Sequence, residues 1–309
     1  MTGAGGFIGR ALCPALAARG HRVVAALRRE LGMGTPPIAA VEPRVLGDIV
    51  PDRDWRGELR DLDIVVHLAQ RAHRQGAADI LAGEPPAAAA LARGAALSGV
   101  RRFVYVSSIK AMGEETAPGR PFRPDDPPRP EDAYGRAKLA TEAALAAVAA
   151  DTGLELVILR PPLVYGPGVG GNFRVLLRLA GSFLPLPFAA VDNRRSLIAV
   201  DNLVDVVAAA ALHPAAAGHV LLVSDGADLS TAALIRILAA AQGRPARLFA
   251  VPNAALAGLR RLPGVGPAVR RVTLSLQVDD GATRAVLDWR PPVAAEAALI
   301  ATARAFAAE

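Results

Sequence analysis

The chain has 309 residues, 35 of them basic and 29 acidic, for a formal net charge of +6. Hydrophobic residues make up 52% and charged residues 21%, a globular balance that excludes a disordered chain. One cysteine, Cys13, excludes an internal disulfide framework, and charges and prolines break every apolar run short of the ~18 residues a membrane span needs.

The elements follow in chain order. A glycine-rich opening, "MTGAGGFIGR", leads into a helix at about 8–19. Strands are predicted at 21–27, 63–69, 101–108 and 154–160, with helices at 87–99 and 131–153 between them. These strands are apolar throughout, as buried parallel strands require. Strand–helix alternation predicts an α/β fold with a doubly wound parallel sheet. After Arg160 the grammar changes. Residues 161–171 read as a loop, 172–181, 201–214 and 230–243 as helices, and 185–200 as a hairpin or irregular segment. The expected division is a dinucleotide-binding domain over 1–160 and a smaller, mixed substrate domain over 161–309, some of whose elements return to the first.

Gly3, Gly6 and Gly9 are spaced as a strand-to-helix turn that lets a pyrophosphate approach a helix N-terminus. Such a turn must follow a strand, and here it opens the chain. The first strand therefore reads as missing, and about 6–8 apolar residues, one strand's length, are expected before Met1.

"YGRAK" places Tyr134 and Lys138 on one face of a helix. A nearby ammonium favours the phenolate, so Tyr134 can exchange a proton with a substrate hydroxyl or carbonyl. Among only three tyrosines and two lysines, Lys110 and Lys138, this spacing is informative. The other 33 cations are arginines, scattered among acids with few aromatics, which argues against nucleic-acid binding. Ser107 and Ser108 end a predicted strand, where a hydroxyl can reach the same substrate oxygen.

Glycine loop, strand-end serine and Tyr/Lys helix come in one order, and the chain is similar to the extended short-chain dehydrogenase/reductase family. The resemblance runs through "TGAGGFIG", "HLA", "VSSIKAMGE", "YGRAK", "RPPLVYGPG" and "DNRRSLIAVDNLVD". Within it, "SSIK" followed by "GE", and "PPLVYGPGV" before "GNF", most resemble bacterial UDP-glucose 4-epimerase-like proteins, including 4-reductases of UDP-4-keto-6-deoxy-N-acetylhexosamines. The resemblance implies a Rossmann domain and a cytoplasmic enzyme acting at C4 of a UDP-sugar, in surface-polysaccharide synthesis. It makes Ser108, Tyr134 and Lys138 catalytic, with Ser108 and Tyr134 also touching substrate. It places Gly3, Gly6, Phe7, Ile8, Gly9, Leu68, Ala69 and Lys138 on the cofactor. Asn172 and Arg195 match positions that hold the substrate's diphosphate and uridine; otherwise they read as a helix N-cap and a solvated charge. The family also implies a homodimer. One departure is local. An asparagine is common in the helix before "VRRFVYVSS", and Glu84 stands near its place here.

The strand ending "AALRR" carries no carboxylate at its tip, where one would select NAD. Arg28 suits a 2′-phosphate, so NADP is expected, with NAD the alternative and Asp48 an adenine-side contact. That preference favours a 4-keto reductase; a UDP-glucose or UDP-N-acetylglucosamine 4-epimerase is the alternative, and a non-catalytic dinucleotide sensor a distant one. The five histidines lack ligand spacing and read as structural or surface, so no metal is expected. The acid pairs at 125–126 and 279–280 read as solvated or capping.

Overall fold

The structure, a computed structural model, describes residues 1–30, 38, 41–70, 77–117 and 119–309. The elements in order are α1 (Phe7–Ala18), β1 (Val24–Leu27), β2 (Glu42–Val45), β3 (Ile64–His67), α2 (Ala77–Leu97), β4 (Arg102–Val106), α3 (Ala133–Thr152), β5 (Glu155–Arg160) and β6 (Leu163–Tyr165). Then follow α4 (Gly171–Ala180), β7 (Leu197–Ala199), α5 (Val200–Leu212), β8 (Val220–Leu222), α6 (Thr231–Ala241), α7 (Asn253–Leu259), α8 (Gly266–Thr273), α9 (Gly281–Leu287) and α10 (Ala295–Ala307).

All strand pairs are parallel. β3, β4, β5 and β8 form one ladder and β1 pairs with β2. Thr2 joins the two, bridging Ala26 on one side and His67 on the other. Its N–H donates to Val66 O at 3.0 Å, and Ala26 N–H donates to Met1 O at 2.8 Å. Met1 and Thr2 stand at the place a first strand would take, and their backbone bonds join its neighbours. The resulting order, β2-β1-Thr2-β3-β4-β5-β8, reverses direction at Thr2, and ligands of open α/β sheets bind outside such a reversal.

Helices cover both faces, as parallel strands require. Leu12 of α1 and the apolar side of α5 pack on one face with Val104, Val106 and Val157. Leu91 of α2 and Leu145 of α3 pack on the other with Phe103, Tyr105 and Ile158. A third cluster joins α4, α6 and α10 around Phe173, Leu238 and Leu299. Chain beyond residue 160 also contributes to the first two layers. β8 extends the main sheet beside β5, and α5 lies on it. Arg102 sits fully buried at the start of β4. Its Nη1 donates to the carbonyls of Ala210, Ala211 and His213, the C-terminal end of α5, and its Nε to Glu155. A helix end with unmet carbonyls is a favourable partner for a buried guanidinium.

Two expectations shift. The helix expected at 87–99 begins at Ala77 and runs through Pro85 and Pro86, which withhold two backbone donors from the turn just after Glu84. Within 185–200 the only regular element is β7, paired with β6 rather than folded into a hairpin.

Candidate active site

The turn from Thr2 into α1 forms the floor of a cleft of about 1160 Å³. Gly3, Gly6, Phe7, Ile8 and Gly9 all line it. The turn is too tight for side chains: a Cβ on Gly9 would lie 2.3 Å from the Gly3 carbonyl oxygen. Gly6 caps α1 with no side-chain acceptor, and the first turn holds no acid. The helix thus presents unmet N–H groups and the positive end of its dipole to the cleft. A dinucleotide pyrophosphate fits this cradle by both shape and charge.

Arg28, Asp48, Leu68 and Ala69 line the same cleft. The Arg28 guanidinium stands 3.9 Å from the Asp48 carboxylate, with both side chains 66% exposed. Its charge is therefore already shared with an anion. Glu30, three residues beyond the end of β1, also lines the cleft, a carboxylate that attention to the strand tip alone passed over.

β4 ends at Val106 and leads through Ser107 into a short 3-10 turn, Ile109–Ala111, capped by the Ser108 hydroxyl. α3 begins opposite, capped by Asp132, whose Oδ1 accepts from Gly135 N–H at 2.7 Å. Lys110 ties the two together, donating to Asp132 Oδ2 at 2.6 Å and to Glu114 Oε1 at 2.8 Å. Burial would lower the ammonium's pKa, but these two carboxylates outweigh it and raise the value. This places Tyr134, in the first turn of α3, beside Ser108. The phenol donates to Gln70 Oε1 at 3.1 Å. Burial, then the Glu84 charge, raises its pKa, against the smaller opposing effect of its hydrogen bonds with Ser108 and Gln70.

Lys138 lies one turn below, fully buried, its Nζ 5.6 Å from the Tyr134 ring. The structure brings Ser108, Tyr134 and Lys138 to one place. It adds neighbours that spacing alone does not reveal. Lys138 Nζ donates to Glu84 Oε1 at 2.7 Å and to the Tyr105 hydroxyl oxygen at 2.9 Å. Tyr105 donates to Glu84 at 3.3 Å. Burial lowers the lysine's pKa and Glu84 opposes that shift. His67, next on the cleft wall, shares a hydrogen bond with Thr2 Oγ1 at 2.8 Å. Burial holds its pKa down at about 3.

Behind Ser108, Ser107 donates to Glu142, which also takes Nε and Nη2 of Arg160. This buried set joins β4, α3 and β5. The N-cap of α4 is Gly170, so Asn172 is not the cap; it is exposed in the first turn, next to the cleft-lining Gly171. Arg195 lies apart from the cleft lining and is no solvated charge. It is half-buried, its Nη1 donates to Leu274 O at 3.0 Å, and burial lowers its pKa while Glu114 opposes.

Of the other histidines, His21 and His219 are exposed and His213 accepts from Ala215 N–H; His73 lies outside the described residues. Asp126 caps Arg123 N–H, and Asp280 is buried against Arg284 and Ser224. Among the described residues no three His, Cys, Asp or Glu side chains group as metal ligands, and no helix is long and apolar enough to cross a membrane.

Residues 1–223 match the NAD dependent epimerase/dehydratase family. The chain is 39% identical over 314 aligned residues to a UDP-glucose 4-epimerase of Vibrio cholerae, covering 99% of this chain and 94% of that one. Its fold is similar to that of the UDP-glucuronic acid 4-epimerase of Bacillus cereus solved with NAD (TM-score 0.78, 21% identity, 99% of this chain and 94% of that one). It is also similar to MoeE5 solved with UDP-glucuronic acid and NAD (TM-score 0.76, 26% identity, 98% and 97%). With a glycine turn at the sheet's reversal, a Ser/Tyr/Lys set beside it and a match over most of its length, this chain belongs to the NAD dependent epimerase/dehydratase family.

Proposed function

We propose that this protein is a UDP-hexose 4-epimerase that keeps NAD bound through its cycle. The observation that carries this reading is the meeting of Ser108, Tyr134 and Lys138 beside the glycine-turn cleft, in a chain similar over 99% of its length to a UDP-glucose 4-epimerase. The sequence put a 4-keto reductase first. The full-length likeness supports its alternative, the epimerase, better.

In this reading Gly3, Gly6 and Gly9 admit the pyrophosphate to the head of α1, and Leu68 and Ala69 wall the cleft past β3. When bound, NAD would supply the hydride acceptor and donor for sugar C4. Tyr134 takes the C4 hydroxyl proton on oxidation and gives it back on reduction. The Ser108 hydroxyl bonds the same C4 oxygen and fixes its distance from the phenol. Lys138 holds a positive charge beside the phenol and favours its ionised form. Asn172, exposed at the head of α4, and Arg195, a half-buried cation, take the substrate's diphosphate and uridine.

The surroundings of Arg28 support NAD over NADP. Its guanidinium already faces Asp48, and Glu30 stands close by on the cleft wall, so a 2′-phosphate would meet carboxylates. The test is incubation with UDP-glucose, and separately with UDP-N-acetylglucosamine. Interconversion with the C4 epimer, with no net change in reduced nicotinamide and lost in Tyr134→Phe, is expected. Stoichiometric NADPH oxidation by a UDP-4-keto-6-deoxy sugar, without epimerisation, would instead make it a reductase.

A further inference from the structure

Glu84 is a carboxylate in an unusual place. It sits on α2, just before Pro85 and Pro86, is 5% exposed, and lines the cleft. Lys138 and Tyr105 both donate to its Oε1. Lys138 is fully buried and has no other ion-pair partner among the described residues. Its single charge therefore faces the Glu84 carboxylate, the Tyr105 hydroxyl and the Tyr134 ring.

We propose that Glu84 is a positioning residue that anchors the Lys138 ammonium and spends part of its charge, and so sets the pH at which Tyr134 ionises. The inference rests on the assignment of Tyr134 as the acid/base. The charge count carries it. With Glu84 ionised and Lys138 protonated, the buried set is neutral while Tyr134 is a phenol and carries one negative charge once it is a phenolate. Without the carboxylate, the set is positive with the phenol and neutral with the phenolate. Burial penalises net charge, so removing Glu84 reverses which tyrosine state the pocket prefers.

The other ionisable groups here leave this balance to Glu84 and Lys138. Asp132, on the same helix as Tyr134, is taken by Lys110. Glu142, facing Lys138 and Tyr105, is taken by Arg160 and Ser107. His67 stays neutral, and Tyr105 is held as a phenol by burial and by the Glu84 charge.

The experiment titrates the full chain. The phenolate difference absorbance of Tyr134 is obtained by subtracting the Tyr134→Phe variant. Glu84→Gln keeps the side chain's shape and an acceptor oxygen but removes its charge. The midpoint for Tyr134 is expected to fall by about 1–2 pH units. The ascending limb of kcat against pH is expected to fall with it. Glu84→Asp keeps the charge and should leave the midpoint nearer the wild-type value than Glu84→Gln does. If Glu84→Gln fails to fold, Glu84→Asn removes the same charge with a shorter amide: a Tyr134 midpoint below wild type supports the idea, and one equal to or above it overturns it. A Glu84→Gln midpoint equal to or above wild type overturns it directly. Loss of epimerisation without any role for Tyr134 would fail the functional reading instead, and the phenol titration would still decide the role of Glu84.

Discussion

Lys110 and Gly135 meet backbone to backbone: a Cβ on Gly135 would lie 2.3 Å from the Lys110 carbonyl oxygen. The 3-10 turn after Ser108 and the first turn of α3 are thus in direct contact, and the separation of Ser108 from Tyr134 depends on it. Gly135→Ala would force the two apart by about 1 Å to relieve that contact. A displacement on the order of 1 Å costs about 10²-fold when reacting groups must align. Steady-state epimerisation should show kcat reduced by about that factor. Circular dichroism should still report a folded chain.

Asp132 has two partners, the N–H of Gly135 and the Lys110 ammonium. Asp132→Ala removes a helix N-cap, expected to cost about 1 kcal/mol. The ion pair adds less, because both side chains are about a third exposed and solvent screens them. Kinetically, the loss should fall on kcat more than on KM, since it loosens the placement of Tyr134 and not the substrate's diphosphate contacts. Urea denaturation and steady-state kinetics on Asp132→Ala and Lys110→Met check both parts; equal effects on KM and kcat would contradict the positioning role.

Four strands of the sheet, β1, β3, β4 and β5, were legible because a doubly covered strand has an apolar interior. β2 was not, because an edge strand tolerates charge and proline, and "EPRV" has both. α2 was cut short at Pro85–Pro86, which break most helices, although here the chain stays helical through them. Ser108, Tyr134 and Lys138 were legible through local spacing and order. Their partners were not. Glu84 is 54 residues from Lys138 and Gln70 is 64 from Tyr134, and no periodicity encodes a contact made by the sheet. The charge of Arg28 could likewise be read from sequence, but its nearness to Asp48 could not.

That nearness bears on cofactor choice. An exposed pair of this kind is worth about 0–1 kcal/mol. Arg28→Ala should therefore change NAD affinity by less than about fivefold. If Arg28 held a 2′-phosphate through charge-assisted bonds, its loss would weaken NADP binding far more. Tryptophan fluorescence, with Trp55 on the cleft wall, gives the affinities. Wild-type binding of NADP much tighter than of NAD, abolished in Arg28→Ala, would reinstate the guanidinium as the selector.

His67 ties the stability of this wall to pH. Its imidazole is 2% exposed, bonded to Thr2 and stacked near Tyr105, with ring centroids 5.7 Å apart. Burial takes its pKa from the ordinary 6.5 to about 3. The unfolded chain then binds a proton below 6.5 that the folded chain refuses, so folding stability is full above that pH and falls as pH drops towards 3. The slope from this one group is up to about 1.4 kcal/mol per pH unit. Urea midpoints at pH 7, 6 and 5 should decline more steeply for the wild type than for His67→Gln, which carries no titrating ring. The variant should start lower at pH 7, having lost the packing against Phe103 and Tyr105, and its curve should converge on the wild type's as the solution becomes acidic. Parallel curves would mean that the ring takes up its proton in the folded state, and that the bond to Thr2 does not depend on a neutral imidazole.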